Sequence, residues 1–418
     1  MDRRAFLMSV SGVVAAPVSV WGPGTAPPGS DALFSAWMQG FVDRAAGAGW
    51  SRAQIEAVFQ GLQPDPRVIA ADSRQPELSK PIGDYIKGVV ADSRIAEGRS
   101  RRDANPWLAA TSAEYGVPAE ILVAIWGVES SFGRIQGDMD VIRSLATLAA
   151  EGRRKDWAEG QLLAALRILF TAQASREQLK GSWAGAMGQT QFTPEDYLSF
   201  AVDGDGDGRR DIWGSANDAL SSAANFLQRK AAWRRGEACT REVVLPASFD
   251  YGLAEGVKQP WAVWRGLGLR PASAPLYGPI VDEPAQLLLP SGWTGPAFLA
   301  FPNHFAIRAY NNSTSYALAV DLLGQRIGGA APLTRPWPDD LPISRSDRIA
   351  AQESLQRMGY DVGAVDGVLG LKTRQAARGW QKTRGLPADG YLSYALIQQL
   401  KTEGGVSASV PPPPPPER

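Results

Sequence analysis

The chain has 418 residues, 44% of them hydrophobic and 21% charged, which is enough for two or three domains with a sizeable core. Lysine plus arginine equals aspartate plus glutamate, at 43 each, so no net field recruits nucleic acid. The single cysteine, Cys239, excludes an intramolecular disulfide.

Met1-Asp-Arg-Arg-Ala-Phe-Leu-Met8 sets two arginines before an apolar run to Val20, and resembles a twin-arginine export signal. Residues 1–26 are read as that signal, with Gly24-Thr25-Ala26 as a cleavage site. A basic start to an ordinary helix is the competing reading. Gly12 and Pro17 break the run, which is too short for a stable membrane span, and no nearby cysteine could carry a lipid. A soluble exported protein with no membrane anchor is expected.

Residues 30 to about 110 read as helical: Phe34, Trp37, Phe41 and Val42 recur at helical spacing, as do Ile55, Val58 and Phe59. Val117-Pro118 then opens an almost wholly apolar helix. Leu122, Ile125 and Trp126 precede Glu129 by seven, four and three residues, so all four share one face. Glu129 therefore continues an apolar stripe near the negative end of a helix dipole, and Gly133 reads as the stop. Such a carboxyl has a raised pKa, as a general acid near neutral pH requires. A buried structural glutamate satisfied by an arginine or backbone donors is the alternative.

Helices are expected over Val141–Ala150, Gly160–Ala174 and Ser215–Ala232. Between the last two lies Gly181-Ser-Trp-Ala-Gly-Ala-Met-Gly-Gln-Thr-Gln-Phe-Thr-Pro-Glu-Asp-Tyr197. Its small residues let a ligand approach the backbone, and Ser182, Gln189 and Gln191 suit neutral hydroxyl and acetamido groups. Asp203, Asp205 and Asp207, with Gly208 at the sixth position, match the start of an EF-hand calcium loop. Arg209 would add a carbonyl. Position twelve is Gly214 rather than glutamate, which breaks the pattern, and Asp218 lies four residues beyond. An Asp-Gly-rich surface turn is the competing reading.

Val243–Pro246, Gln286–Pro290 and Ala297–Phe301 read as strands of a small sheet, and Asn311–Ile327 returns to helix. Pro332, Pro336, Pro338 and Pro342 mark a stiff linker, 331–343, across which few contacts are expected. Pro411–Pro416 is a polyproline tail within 403–418.

Several motifs in order resemble the lytic murein transglycosylase B family over roughly Ala32 to Gly328. They are Gln75-Pro-Glu77 with Asp84-Tyr85, the Glu129-Ser-Ser-Phe-Gly-Arg134 core, the Gly-Ala-Met-Gly-x-x-Gln-Phe-x-Pro loop, and Tyr310-Asn-Asn-Ser313. Ser344–Leu400 carries Leu355-Gln-Arg-Met-Gly-Tyr360, Val365-Asp-Gly-Val-Leu-Gly370 and Gly385-Leu-Pro-Ala-Asp-Gly390, and resembles a three-helix peptidoglycan-binding domain. The implied fold is mainly α (α+β): a lysozyme-like helical catalytic domain, 30–330, with a small β insertion and the EF-hand-like loop 203–218. A three-helix module, 344–402, follows.

The resemblance implies a lytic transglycosylase acting on peptidoglycan glycan strands in the periplasm. Glu129 would act as acid, then as base. Ser182 and Asn311 would orient an acetamido group, Gln191 and Tyr310 hold sugars, and Tyr316 and Tyr85 line the cleft. Arg153 and Arg154 would meet the sugar or stem peptide. A family tyrosine is Phe226 here, which removes a hydroxyl. In the family a later aspartate closes a variant calcium loop, the place of Asp218, so structural Ca2+ is expected but no cofactor for the chemistry. Some of the 14 tryptophans suit pyranose stacking, though most should be core. A lysozyme-type muramidase would need a second carboxylate, and none is evident near Glu129: Asp138, Asp140 and Glu151 sit in polar connections. A wall-binding protein without catalysis is the third reading.

Overall fold

The computed structural model describes residues 30–47, 49–73, 80–273 and 282–405. The expected export signal, the Gln75-Pro76-Glu77 motif and the polyproline segment fall outside the described residues. The first helices in chain order are α1 Ser30–Ala46, α2 Arg52–Phe59, α3 Pro66–Ser73, α4 Ile82–Val89, α5 Asp92–Asp103 and α6 Leu108–Tyr115. Then come α7 Ala119–Ser130, α8 Val141–Glu151, α9 Lys155–Phe170, α10 Pro194–Phe200, α11 Ala216–Arg229 and α12 Trp261–Gly266. The last are α13 Pro302–Tyr310, α14 Thr314–Ile327, α15 Arg345–Arg357, α16 Leu371–Thr383 and α17 Tyr394–Glu403. Strands are few and short: β1 Met139–Asp140, β2 Lys180–Gly181, β3 Thr240–Val244, β4 Lys258–Gln259, β5 Arg270–Pro271, β6 Ala285–Leu288 and β7 Ala297–Ala300. The mainly helical expectation holds.

The described residues divide into two compact units: those within 1–75, 89–235 and 306–329 form the first, and those within 76–88, 236–305 and 330–418 the second. In the first, α7 is buried continuously from Ile121 to Ser130 and packs against α5, α6, α11 and α14. A helix apolar all round belongs at the centre of a core. The crossing with α14 is close enough that a Cβ on Gly324 would lie 2.9 Å from Ile121 Cδ1. Helices α8 and α9 form a second layer, with α1 and α3 on α8 and α10 on α9. No single described helix is long and apolar enough to cross a membrane; α6 and α7, bent by 108°, pass that test only as a pair.

Local chemistry fixes several boundaries that periodicity misplaces. Helix α9 starts five residues before the expected Gly160, and stops at Phe170 ahead of Ala172, whose φ is 52°. Asp140, Ser215 and Ser313 cap α8, α11 and α14, each accepting a backbone N–H three residues on. The expected helix from Asn311 therefore begins at Thr314, and a separate helix, α13, precedes it. The expected helical stretch from 30 to about 110 comprises, among the described residues, α1 to α5 and the start of α6, and β3 begins three residues before Val243.

In the second unit, a five-stranded antiparallel sheet runs β4-β6-β7-β3-β5, with Leu287 opposite Leu299 and Thr240 opposite Ala300. It buries Val243, Leu287, Leu299 and Phe301 with Trp264 of α12. The helices α15, α16 and α17 enclose Leu355, Trp380, Ile397 and Leu400. Two buried glutamines explain the repeated Asp-Gly turns. Gln352 accepts the Gly367 N–H at 2.8 Å and donates to Ala364 O and Val368 O, both at 3.1 Å. Gln381 accepts the Gly390 N–H at 2.8 Å and donates to Asp389 Oδ1 at 2.9 Å. Each amide closes the turn that follows its helix.

The linker departs from the expectation of few contacts. Glu242 accepts the Thr334 and Arg335 N–H groups, both at 2.9 Å, and Trp337 stacks on Phe298 with ring centroids 6.1 Å apart. Glu255, at a left-handed φ of 64°, pairs with Arg374 at 2.7 Å and Arg378 at 3.2 Å. Proline stiffens this segment without isolating it, because its intervening residues still offer side chains and N–H groups to the sheet.

Candidate active site

Helix α7 ends where its apolar stripe meets polar groups. The last helical residue is Ser130, and the left-handed cap is Ser131 (φ 49°), whose N–H returns to Trp126 O. Gly133 is thus not the cap but the third of three successive positive-φ residues, after Ser131 and Phe132. It needs to be glycine: its φ is +83°, and a Cβ there would lie 2.6 Å from Gln189 Oε1. Two non-glycine residues in this conformation hold the chain in a costly bend beside Glu129.

Glu129 is 1% exposed. The Tyr316 hydroxyl of α14 donates to its Oε1, and its Oε2 accepts no hydrogen bond. Burial pushes the carboxyl up to about 8, opposed only by the Tyr316 hydrogen bond. Among the described residues no arginine pairs with it, which disfavours the structural ion-pair alternative. The carboxylates of Asp140 and Asp138 are engaged elsewhere or exposed: Asp140 caps α8 and pairs with Arg176 at 2.8 Å, and the Asp138 side chain is 89% exposed.

The Gly181–Tyr197 segment is bound to α7 by a residue that pattern reading passed over. Ser130 Oγ donates to Gln189 O at 2.6 Å and accepts the Gly133 N–H at 2.9 Å. Gln189 accepts from Trp126 Nε1 at 2.9 Å and donates to Trp213 O at 3.1 Å. The signal was a serine directly after the glutamate on a helix about to end, where a hydroxyl can serve orphan backbone groups. Gln191, at φ 52°, donates to Gln136 O at 3.0 Å and Gly188 O at 2.9 Å, while its Oε1 has no partner. Ser182 is half-buried and accepts the Ala186 N–H at 3.1 Å.

From the other side, the Tyr310 hydroxyl donates to Thr190 O, tying the end of α13 to the same loop. Phe226 is 1% exposed and packs edge-on against Tyr310 with centroids 5.0 Å apart. Asn311 is 3% exposed and its Nδ2 has no partner. Within the first unit, Tyr316 is thus bonded to Glu129, while Tyr310 and Gln191 are each bonded to backbone carbonyls of the Gly181–Tyr197 loop.

The arginine pair sits at the α8–α9 turn. Arg153 pairs with Asp72 at 2.5 Å. Arg154 lies 4.1 Å over the Trp157 ring with a buried Nη1 that has no partner. Burial holds its guanidinium below the ordinary value, against the pull of Asp72. Tyr85 is half-buried on α4, in the second unit.

The acidic loop gathers Asp203, Asp205 and Asp218, whose oxygens lie within 4.8 Å of one another. Asp218 is fully buried: Oδ1 accepts Gly204 and Asp205 N–H at 2.8 and 3.3 Å, and Oδ2 accepts Asp211 N–H at 2.6 Å. Asp207 and Arg209 are exposed, and Asp207 Oδ1 accepts the Arg209 N–H at 2.8 Å. Three hard oxygen donors held together against their own repulsion fit an oxygen-seeking divalent cation.

A lone, dry, protonatable glutamate at a helix end, on a mostly helical scaffold, defines an acid-catalysing enzyme. The particular scaffold is known: the chain belongs to the transglycosylase SLT domain family, whose model matches residues 33–325, and a peptidoglycan binding domain matches 344–400. Membrane-bound lytic murein transglycosylase B of Escherichia coli (strain K12) is 37% identical over 217 residues, 51% of this chain and 58% of that protein. The chain thus spans little more than half of that relative. SltB3 from Pseudomonas aeruginosa, crystallised in complex with NAG-anhNAM-pentapeptide, is 46% identical, covering 88% of this chain and 99% of that one, with a TM-score of 0.83. The Escherichia coli lytic transglycosylase Slt35 in complex with calcium is 30% identical, covering 70% and 92%, with a TM-score of 0.61.

Proposed function

We propose that this protein is a lytic transglycosylase. It cleaves the β-1,4 bond between N-acetylmuramic acid and N-acetylglucosamine in peptidoglycan and leaves a 1,6-anhydromuramyl end. The observation that carries this reading is Glu129: raised to about 8 by burial, with a bare Oε2 and, among the described residues, no carboxylate bonded to it. A protonated glutamic acid donates to the glycosidic oxygen as the C1–O bond breaks. The resulting glutamate then takes the proton of the muramyl C6 hydroxyl, whose oxygen closes on C1. Water is never the nucleophile, so no second carboxylate is needed to position it. SltB3 in complex with both NAG-anhNAM-pentapeptide and NAG-NAM-pentapeptide supports the same substrate here.

Around that acid, Asn311 and Ser182 orient the substrate acetamido group, and Gln191 offers its free Oε1 to a sugar hydroxyl. Tyr310 holds the loop in place, and Tyr316 positions Glu129. Arg154 presents a charged Nη1 to the sugar or stem peptide, with Arg153 beside it. Residues 30–330 are the catalytic region, 331–343 the linker and 344–402 the wall-binding module. Asp203, Asp205 and Asp218, with Asp207 and the Arg209 carbonyl, hold a structural Ca2+ that keeps the loop folded and takes no part in bond cleavage. A twin-arginine signal delivers the protein to the periplasm, where peptidoglycan lies. Mass spectrometry of muropeptides released from purified sacculi tests the reading. Products lighter by one water than reducing muropeptides are expected, and reducing ends as the main product refute it.

A further inference from the structure

Among the described residues, Trp293 is the one aromatic side chain left exposed, at 43%. Leaving an indole in water forgoes one of the largest hydrophobic gains a side chain offers. The exposure does not come from a slack loop. The Trp293 N–H donates to Asp389 Oδ2 at 2.8 Å, and the Gly292 N–H to Leu289 O at 3.2 Å. Leu289 O also accepts Arg374 Nη2 at 3.0 Å. Asp389 is itself 3% exposed, with Oδ1 taking Gln381 Nε2 at 2.9 Å and the Tyr391 N–H at 2.8 Å. A Cβ on Gly292 would lie 2.5 Å from Asp389 Oδ2 and 3.0 Å from Tyr391 Cβ. The loop is therefore seated on residues of the segment that matches a peptidoglycan binding domain. Its flanking residues, Ser291, Gly292, Thr294 and Gly295, are small and uncharged.

We infer that Trp293 is a stacking platform for an N-acetylated pyranose of a glycan strand, and that it extends the wall-binding surface of the C-terminal module beyond that module's own residues. A flat indole on a loop whose backbone is already pinned can offer its face to the axial C–H groups of a β-linked sugar ring and loses little backbone entropy on contact. Small neighbours leave room for the ring's substituents, and neutral ones match a neutral sugar.

The inference rests on peptidoglycan being the substrate, and its test separates the two. Binding is measured by sedimentation of the full chain with purified sacculi, in the E129Q background so that nothing is cut. If E129Q itself fails to sediment, the substrate reading falls. Adding W293A is expected to raise the apparent Kd about five- to tenfold, the scale of one aromatic contact. Adding W293F should restore most of the loss, since a ring rather than a fixed loop is what matters. Circular dichroism of both double variants should match E129Q. Equal sedimentation of E129Q and E129Q/W293A overturns the inference. So does a deficit that disappears once an amidase has stripped the stem peptides, which would assign the ring to peptide. Tryptophan-dependent binding to phosphatidylglycerol vesicles, without a sacculus deficit, would assign it to a lipid surface.

Discussion

Glu129 and Asp218 are both sealed carboxylates in the same compact unit, at 1% and 0% exposure, yet their surroundings are opposite. Burial raises both. Asp218 answers that cost with three backbone N–H groups and stands among Asp203 and Asp205, so a cation in their midst would stabilise the charged form. Glu129 receives one tyrosine hydroxyl and leaves its second oxygen bare. One arrangement suits holding a positive ion; the other suits holding a proton until a substrate oxygen takes it. Burial alone does not decide which chemistry a carboxylate performs. Its neighbours do.

The sharpest way to break this contrast is E129Q. An amide keeps the Tyr316 hydrogen bond and cannot deliver a proton, so turnover of sacculi should fall roughly a thousandfold or more. Residual turnover within tenfold of wild type, followed by release of soluble muropeptides, would move the acid elsewhere.

Y316F comes next. The hydroxyl lowers the Glu129 pKa, so removing it shifts the carboxyl further above about 8. The alkaline limb of the pH–rate profile should move upward, with the maximal rate down about tenfold as the carboxyl loses its fixed orientation. An unmoved limb would show that Tyr316 does not act on the proton.

The same burial predicts a stability effect. Folding keeps Glu129 protonated up to about 8, whereas an unfolded glutamate ionises near the ordinary value of 4.5. The folded state binds the extra proton between those values, so stability falls as pH rises through that window and levels off above it. E129Q escapes this loss. It should be more stable than wild type at pH 8.5 by on the order of 5 kcal/mol, with the gap closing towards pH 4.5. Urea unfolding at several pH values measures this, and a constant gap would contradict the raised pKa.

Calcium should act on the other carboxylates alone. A hundredfold excess over the dissociation constant stabilises by about 2.7 kcal/mol, and D205A should abolish the accompanying rise in Tm. Identical melting curves with calcium and with chelator would leave the loop a turn.

The two carboxylates were not equally legible in the sequence. Glu129 was, because helical periodicity alone placed it on an apolar face. The Asp203–Asp207 spacing was also visible, but the closing role of Asp218 came from family resemblance, since fourteen residues separate its carboxylate from the Gly204 N–H it accepts. Ser130 was missed because its work is to carry backbone hydrogen bonds across 59 residues, which no local pattern encodes. Helix α13 was overlooked for a similar reason: its short length gives periodicity little to act on. The docked linker was misjudged because proline content reports stiffness, not what the intervening residues touch.

Tyr316 lies 187 residues after Glu129, beyond the whole β insertion, and α14, which carries it, is packed on α7. A chain growing from its N-terminus completes α7 long before it possesses the helix that dries and orients the acid. Any version that stops short of α14 lacks both the hydroxyl bonded to Glu129 and the helix packed on α7. The connectivity therefore postpones the completed Glu129 environment until the last segment of the first compact unit has been made.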